Sequence, residues 1–319
     1  MSHLILLIGS AVAIYLACEL FVNAIEHLGR ALRMGAVAVG SVLAAVGTAL
    51  PESVVTGVAV TIGHANDVGV GAALGGPLAL ATVAYAVVGG VLLMRRVSLT
   101  GVDTRHLARD QWWFLVVFAA KVSLGLVAFA WKPWLGLLFF AGYAVYVVTE
   151  LRRQHDDAEL ELEPLRLGGS VSPSLAPVLV QVLGTLVVIF GASQVFVAQL
   201  GWAGPQLGLS DAVTALLLAP LATELPEVAN AVIWVRQGKS QLALANISGS
   251  MMVQATVPSG LAILFTPWDL DGPLVLSAVA TAAAILFLLV VTLRGKLSAR
   301  TLVAAGLGYV AFAAALPFV

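Results

Sequence analysis

The chain has 319 residues, 60% of them hydrophobic and only 10% charged, with a mean hydropathy of +1.01. So little charge cannot cover a water-exposed surface, which excludes an ordinary soluble domain and points to a polytopic membrane protein. A formal net charge of -1 leaves no basic domain for nucleic acid, and the single cysteine, Cys18, excludes an intramolecular disulfide and a cysteine-built metal site.

About 20 apolar residues span a bilayer as a helix. On that rule ten segments are predicted, at 4–25, 34–62, 67–94, 112–131, 133–150, 175–199, 207–235, 240–266, 272–293 and 301–318. The first lacks a basic leader and continues into folded-looking sequence, so it reads as a spanning helix rather than a signal peptide. Segments two and seven are too long: unbroken, each would measure roughly 43 Å against about 30 Å of hydrocarbon. Each contains a Leu-Pro-Glu step, in "VGTALPESVV" (46–55) and "LATELPEVAN" (221–230). Proline breaks a helix, and a carboxylate at membrane depth costs at least a few kcal/mol, so both segments are predicted to be broken for a functional reason.

With the N-terminus outside, the inside connections collect fourteen basic residues, from Arg30 to Arg300, and the outside ones only Lys132. That asymmetry orients the bundle with both termini outside. The polar stretch "ELRRQHDDAELELEPLRLGGSVSP" (150–173) reads as a linker, dividing the chain into a first half (1–150), a linker (151–174) and a second half (175–319).

Shifting the chain by 175 residues lays Thr48 on Thr223, Leu50 on Leu225, Pro51 on Pro226 and Glu52 on Glu227. Each motif falls in the second of five segments. Five is odd, so the second half enters the membrane from the opposite side. The expected fold is all-α, with ten transmembrane helices in two inverted five-helix repeats and a site near the midplane between them. Pro51 and Pro226 each free a backbone carbonyl, around Gly47–Thr48 and Ala222–Thr223, beside a glutamate. Two carboxylates and backbone oxygens suit a desolvated Ca²⁺, which takes six to eight oxygens. When empty, such a site holds protons or monovalent cations instead, and that exclusive occupancy is the physical basis of antiport.

Glu224, three residues before Glu227, is either a further ligand or proton carrier, or the partner of a basic or hydroxyl group. Lys121, mid-span in segment four, either stands in for a cation or pairs structurally, and is kept out of the site. Glu19 and Glu26 share a face of segment one, with Glu26 and His27 expected in solvent near the inner end. His64, Asn66 and Asp67 form an outer turn, while His3, His106 and His155 read as loop residues with no transition-metal spacing. Trp112, Trp113, Trp131, Trp134, Trp202 and Trp268 flank spans as interface anchors. The stretch "GVGAALGG" reads as close helix packing, not a nucleotide loop.

"AVAVGSVLAAVGTALPE" (36–52), "LATELPEV" (221–228) and "LANISGSMMVQA" (244–255) resemble the alpha repeats of the calcium:cation antiporter superfamily, which includes sodium/calcium and proton/calcium exchangers. In that family each repeat reads approximately Gly-Thr-Ser-x-Pro-Glu, followed later by Gly-Asn-x-x-Gly-Ser-Asn. The resemblance implies that Glu52 and Glu227 are central Ca²⁺ ligands, that Thr48 and Thr223 add oxygens, and that Ser250 lines the site from segment eight. It also implies alternating access by segments one and six over a core of segments two, three, seven and eight. The pattern departs at Ala49 and Glu224, which replace the family's serine, at Gly75 and Ala79, which replace Ser and Asn, and at Gln254, which replaces an acid or amide. These departures weigh against three-sodium coupling, and the third acid favours protons.

The expected site is therefore Glu52, Glu227, Thr48, Thr223, Glu224, Ser250 and Gln254. The expected function is Ca²⁺ antiport against H⁺ or Na⁺ in the cell (inner) membrane. Its partners are inorganic cations and the lipid bilayer, with no resident cofactor. The alternative is another divalent cation or a proton-coupled solute on the same scaffold. A membrane-embedded enzyme would need a nucleophile or metal dyad, and no buried His or Cys accompanies these glutamates.

Overall fold

A computed structural model describes residues 2–61, 66–99, 101–152, 162–206, 208 and 217–319, and every regular element among them is helical. Helix α1 (Ser2–Ala31) is followed by a turn at Ala36–Ala38, a π-helical stretch at Val39–Ala44, and α2 (Ala45–Thr61). Helix α3 (Asn66–Ala79) passes through a second π-helical stretch, Leu80–Ala84, into α4 (Tyr85–Arg95). Then come α5 (Thr104–Gly125), a 3₁₀ turn (Lys132–Leu135) leading into α6 (Gly136–Arg152), and α7 (Leu175–Gln206). The remainder is α8 (Ala219–Thr223), α9 (Leu225–Arg236), α10 (Ser240–Phe265), α11 (Gly272–Leu293), α12 (Ala299–Ala305) and α13 (Leu307–Ala315).

Among the described residues, seven helical stretches are long and apolar enough to cross a bilayer, and an eighth counts if Ala36–Leu50 and Glu52–Thr61, bent by 49°, form one span. The molecule is an all-α, multi-pass membrane protein. Helix α5 differs from the predicted segment 112–131: it begins at Thr104, where the Asp103 carboxylate caps the N–H groups of Arg105 and His106, and ends at Gly125. Arg105, His106, Arg109 and Asp110 look like a loop to a hydropathy count, yet they form its first turns. The predicted segment 207–235 resolves into α8 and α9, separated at Glu224, while residues 207 and 209–216 lie outside those described.

Helix α10 is the axis of the molecule, buried over nearly its whole length among α2, α3, α5, α6 and α9. Glycine permits this contact: a Cβ on Gly249 would overlap the Ser41 backbone, and one on Gly40 would lie 2.8 Å from the Leu242 carbonyl oxygen. Helices α1 and α7 pack along each other and turn apolar residues outward, among them Ile5, Ile8, Val12, Leu183 and Val187. Such exposed apolar faces require lipid. Of the predicted tryptophan anchors, Trp112, Trp131, Trp134 and Trp202 are exposed. Trp268 is fully buried instead, and its indole N–H donates to the Lys121 carbonyl at 2.8 Å.

Candidate functional site

The two Leu-Pro-Glu steps meet at α10. In the second, the helix stops at Thr223, Glu224 takes φ -83° and ψ 1°, and α9 restarts with Pro226 in its first turn, where the missing N–H has no partner to lose. The break places Glu227 in the first turn of α9, and both Glu224 and Glu227 are 1% exposed. Gln254 of α10 binds the motifs together: its amide donates to Glu224 Oε1 at 2.5 Å and to Glu52 Oε2 at 2.7 Å.

The threonines are placed reciprocally. Glu52 lies against Thr223 as well as Glu224, and Glu227 lies against Thr48. Each hydroxyl sends its hydrogen to its own helix, Thr48 to the Ala44 carbonyl at 3.1 Å and Thr223 to the Pro220 carbonyl at 3.2 Å. Each hydroxyl oxygen keeps lone pairs free, the requirement for a cation ligand.

Around these groups collect polar atoms that are buried without a hydrogen-bond partner: Glu224 Oε2, both Glu227 oxygens, Ser250 Oγ, Gln254 Oε1, Asn246 Oδ1 and the whole Asn230 amide. Each orphan costs about 1–3 kcal/mol, more for a charged group, so a concentration of oxygens like this one calls for a positively charged occupant. Asn246, Ser250 and Gln254 recur every four residues, so α10 presents them in one stripe. Asn246 also fastens α10 to α9, donating its amide to the Glu227 carbonyl at 3.1 Å.

Helix α3 approaches the site through two glycines, Gly75, one of the departures from the family motif, and Gly76 beside it. A Cβ on Gly76 would lie 2.6 Å from Gln254 Oε1 and 2.7 Å from Glu224 Oε1, and one on Gly75 would lie 2.6 Å from Pro220 Cγ. The side chain missing at Gly76 thus leaves room for the longer Glu224 and Gln254, and the one missing at Gly75 leaves room for Pro220. Glu52, Thr223, Glu224 and Gln254 meet here, Thr48 lies against Glu227, and Ser250 shares the α10 stripe with Gln254. Sequence reasoning omitted Asn230 and the cradle at Gly76. Asn230 was accessible from its spacing, three residues beyond Glu227 on one helix, whereas Gly76 could be found only from the packing. Helix α1 roofs the site, with the Cys18 thiol 3.7 Å from the Pro226 carbonyl oxygen.

Several other expectations are corrected. Glu26 is buried rather than solvated, because Lys239 Nζ donates to both its oxygens, at 2.8 and 2.6 Å, and the Trp234 indole donates at 2.8 Å. Glu19 lines a polar crevice of about 220 Å³ with Tyr15, Asn23, Arg95 and Arg236. His3 belongs to α1 and bonds Gln199 of α7 at 2.8 Å. His64 and His155 lie outside the described residues, as do the side chains of Asn66 and Asp67.

His106 is not a loop residue. Its Nε2 is 2.5 Å from Glu150 Oε2 and its Nδ1 is 3.3 Å from Asp110 Oδ2. Among the described residues, His106, Asp110 and Glu150 are the one trio of potential metal ligands whose atoms all close to within 4.8 Å. Glu150 comes from another helix, so no spacing could reveal the group. Both imidazole nitrogens face carboxylates, and Arg109 Nη2 adds a cation 2.5 Å from Glu150 Oε1. Arg109 thus offsets Glu150, while both Asp110 oxygens are buried without a hydrogen bond, and the group ties α5 to α6.

A multi-pass helical protein with a buried, oxygen-rich acidic cluster inside belongs to the class of cation transporters. The chain is a member of the sodium/calcium exchanger protein family, matching it over residues 2–152 and 177–316. It is 25% identical over 301 residues to the candidate antiporter CaxA of Alkalimonas amylolytica, covering 93% of this chain and 91% of that protein. It is 26% identical to the inner membrane protein YrbG of Escherichia coli, covering 84% and 81%. Its fold matches structures of the sodium-calcium exchanger NCX_Mj, with a TM-score of 0.79 at 18% identity over 98% of both chains. The activity is cation antiport. The cations are substrates rather than resident cofactors, and the family is one of exchangers rather than enzymes.

Proposed function

We propose that this protein exchanges a divalent cation, foremost Ca²⁺, for H⁺ or Na⁺ at the junction of Glu52, Glu224, Glu227 and Gln254. The observation that carries this reading is the bridge of Gln254 between Glu52 and Glu224, surrounded by buried oxygens without donors. A divalent ion accepts six to eight oxygens, and the carboxylates, Ser250, the amide oxygens of Asn230 and Asn246, and the lone pairs of Thr48 and Thr223 offer that number. Without the metal, several carboxylates in one buried site hold protons or monovalent ions. Metal and replacement therefore exclude each other.

The same reading comprises ten membrane helices in two inverted halves, 1–150 and 175–319, joined by the linker 151–174. The 175-residue offset between the Leu-Pro-Glu steps and the reciprocal contacts of Glu52 with Thr223 and Glu227 with Thr48 support it. The Arg and Lys asymmetry supports both termini outside an inner membrane. Access alternates as α1 and α7 shift over a core of α2, α3, α9 and α10. Protons are favoured over Na⁺ as the counter-ion because the third acid, Glu224, stands where the exchangers carry a neutral serine.

The test is Ca²⁺ uptake into inverted vesicles under an imposed pH or Na⁺ gradient, with Glu227→Gln as control. Uptake driven by either gradient and abolished in the variant is expected. Uptake of Mn²⁺ or Mg²⁺ without Ca²⁺ would transfer the proposal to another divalent ion, and no divalent flux would refute it.

A further inference from the structure

Lys121 is fully buried, yet it meets no carboxylate among the described residues. Its ammonium donates to the Ala73 carbonyl at 2.7 Å and to Ser259 Oγ at 3.0 Å, and lies 4.8 Å from the centre of the Phe118 ring. These partners share an origin. Ala73 stands four residues before Pro77 in α3, and Gln254 stands four before Pro258 in α10. Each proline lacks the N–H that would have bonded that carbonyl. Lys121 caps the first orphan directly. It reaches the second through Ser259, whose hydroxyl donates to the Gln254 carbonyl at 2.8 Å.

The same two turns line the carboxylate site on their other side: Gly76 follows Ala73 and packs against Gln254 and Glu224, while Gln254 itself bridges the acids. Two oxygens and an aromatic face around one positive charge form a monovalent cation's environment, filled here by a side chain.

We propose that Lys121 is a tethered monovalent cation, built into the fold behind the carboxylate site, that takes the place of one mobile cation. This rests on the antiport reading above and adds a rule for occupancy. Three carboxylates, the Lys121 ammonium and one divalent ion are neutral together, so the wild-type site has no place for a monovalent ion beside the metal. Without Lys121, the loaded site keeps one uncompensated negative charge and an oxygen-lined vacancy next to it.

The test measures Ca²⁺ affinity of the purified protein in detergent, replacing choline chloride by NaCl or KCl at constant ionic strength. In the wild type, and in Lys121→Arg, Na⁺ and K⁺ leave Ca²⁺ binding unchanged or weaken it. In Lys121→Ala the lost positive charge tightens Ca²⁺ binding in choline by about tenfold, and Na⁺ or K⁺, entering the vacated position, returns the affinity toward the wild-type value. Lys121→Met, close to lysine in length and uncharged, carries the same expectation where the alanine variant does not assemble. A folded, uncharged variant that binds Ca²⁺ in choline no more tightly than the wild type overturns the tethered-cation assignment alone. Absence of Ca²⁺ binding in the wild type overturns the antiport reading and this proposal with it.

Discussion

Gly71 and Gly76 lie on the same helix and differ in what a methyl group would meet. Around Gly71 there is nothing within 4 Å, whereas at Gly76 a Cβ would press on Gln254 Oε1 at 2.6 Å and Glu224 Oε1 at 2.7 Å. Both alanine substitutions gain about 0.5–1 kcal/mol from helix propensity. Only Gly76→Ala must also displace a head group of the site. The expected loss is one charge-assisted hydrogen bond of Gln254, worth about 1.5–3 kcal/mol, or roughly 10- to 100-fold in divalent-cation affinity. The assay is Ca²⁺ titration of both variants in detergent, with thermal unfolding alongside. Gly71→Ala should unfold at or above the wild-type temperature and bind Ca²⁺ normally, while Gly76→Ala binds weakly. Equal affinities in the two variants would refute the cradle and the placement of the site beside it.

Glu227→Gln should reduce divalent flux at least about 100-fold, two charge-assisted contacts being lost, while Glu224→Gln retains flux with a flattened pH profile. An unaltered profile in Glu224→Gln removes that residue as the proton carrier. Asn230→Leu replaces an orphaned amide by an apolar group, so the cation-free protein should gain about 1–3 kcal/mol while its stabilisation by Ca²⁺ shrinks. A variant destabilised without Ca²⁺ and normal with it would show Asn230 to be structural. Glu26→Gln strands Lys239, which keeps 20% side-chain exposure, so about 1–3 kcal/mol is expected, less than for a fully dry pair. Lys239→Gln added to it should recover part of the loss, and strictly additive losses would count against the pairing.

The membrane class, the break at Glu224, the 49° bend at the first Leu-Pro-Glu step and the acids Glu52, Glu224 and Glu227 were legible because each violates a strong rule: carboxylates and prolines do not belong inside apolar runs. Gln254, which bridges Glu52 and Glu224, was legible through the motif. Contacts made across the chain were not. Gly76 is silent in sequence, since its role is to leave a volume for residues about 150 and 180 positions away. Lys121 could be recognised as anomalous, but its partners are carbonyls orphaned by Pro77 and Pro258, and only packing reveals that both converge on it. Glu26 and His106 were misplaced for a related reason: a charged residue near a span end looks solvated until its partner, here Lys239 or Glu150, arrives from another helix.

The most direct measurement is a structure of the protein loaded with Sr²⁺ or Ca²⁺, with the anomalous signal used to locate the ion. The peak is expected about 2.3–2.6 Å from carboxylate oxygens of both Glu52 and Glu227, and it should vanish at acid pH or in Na⁺. A peak at His106, Asp110 and Glu150, or one that persists unchanged beside the competing ion, would contradict exchange at a single shared acidic site.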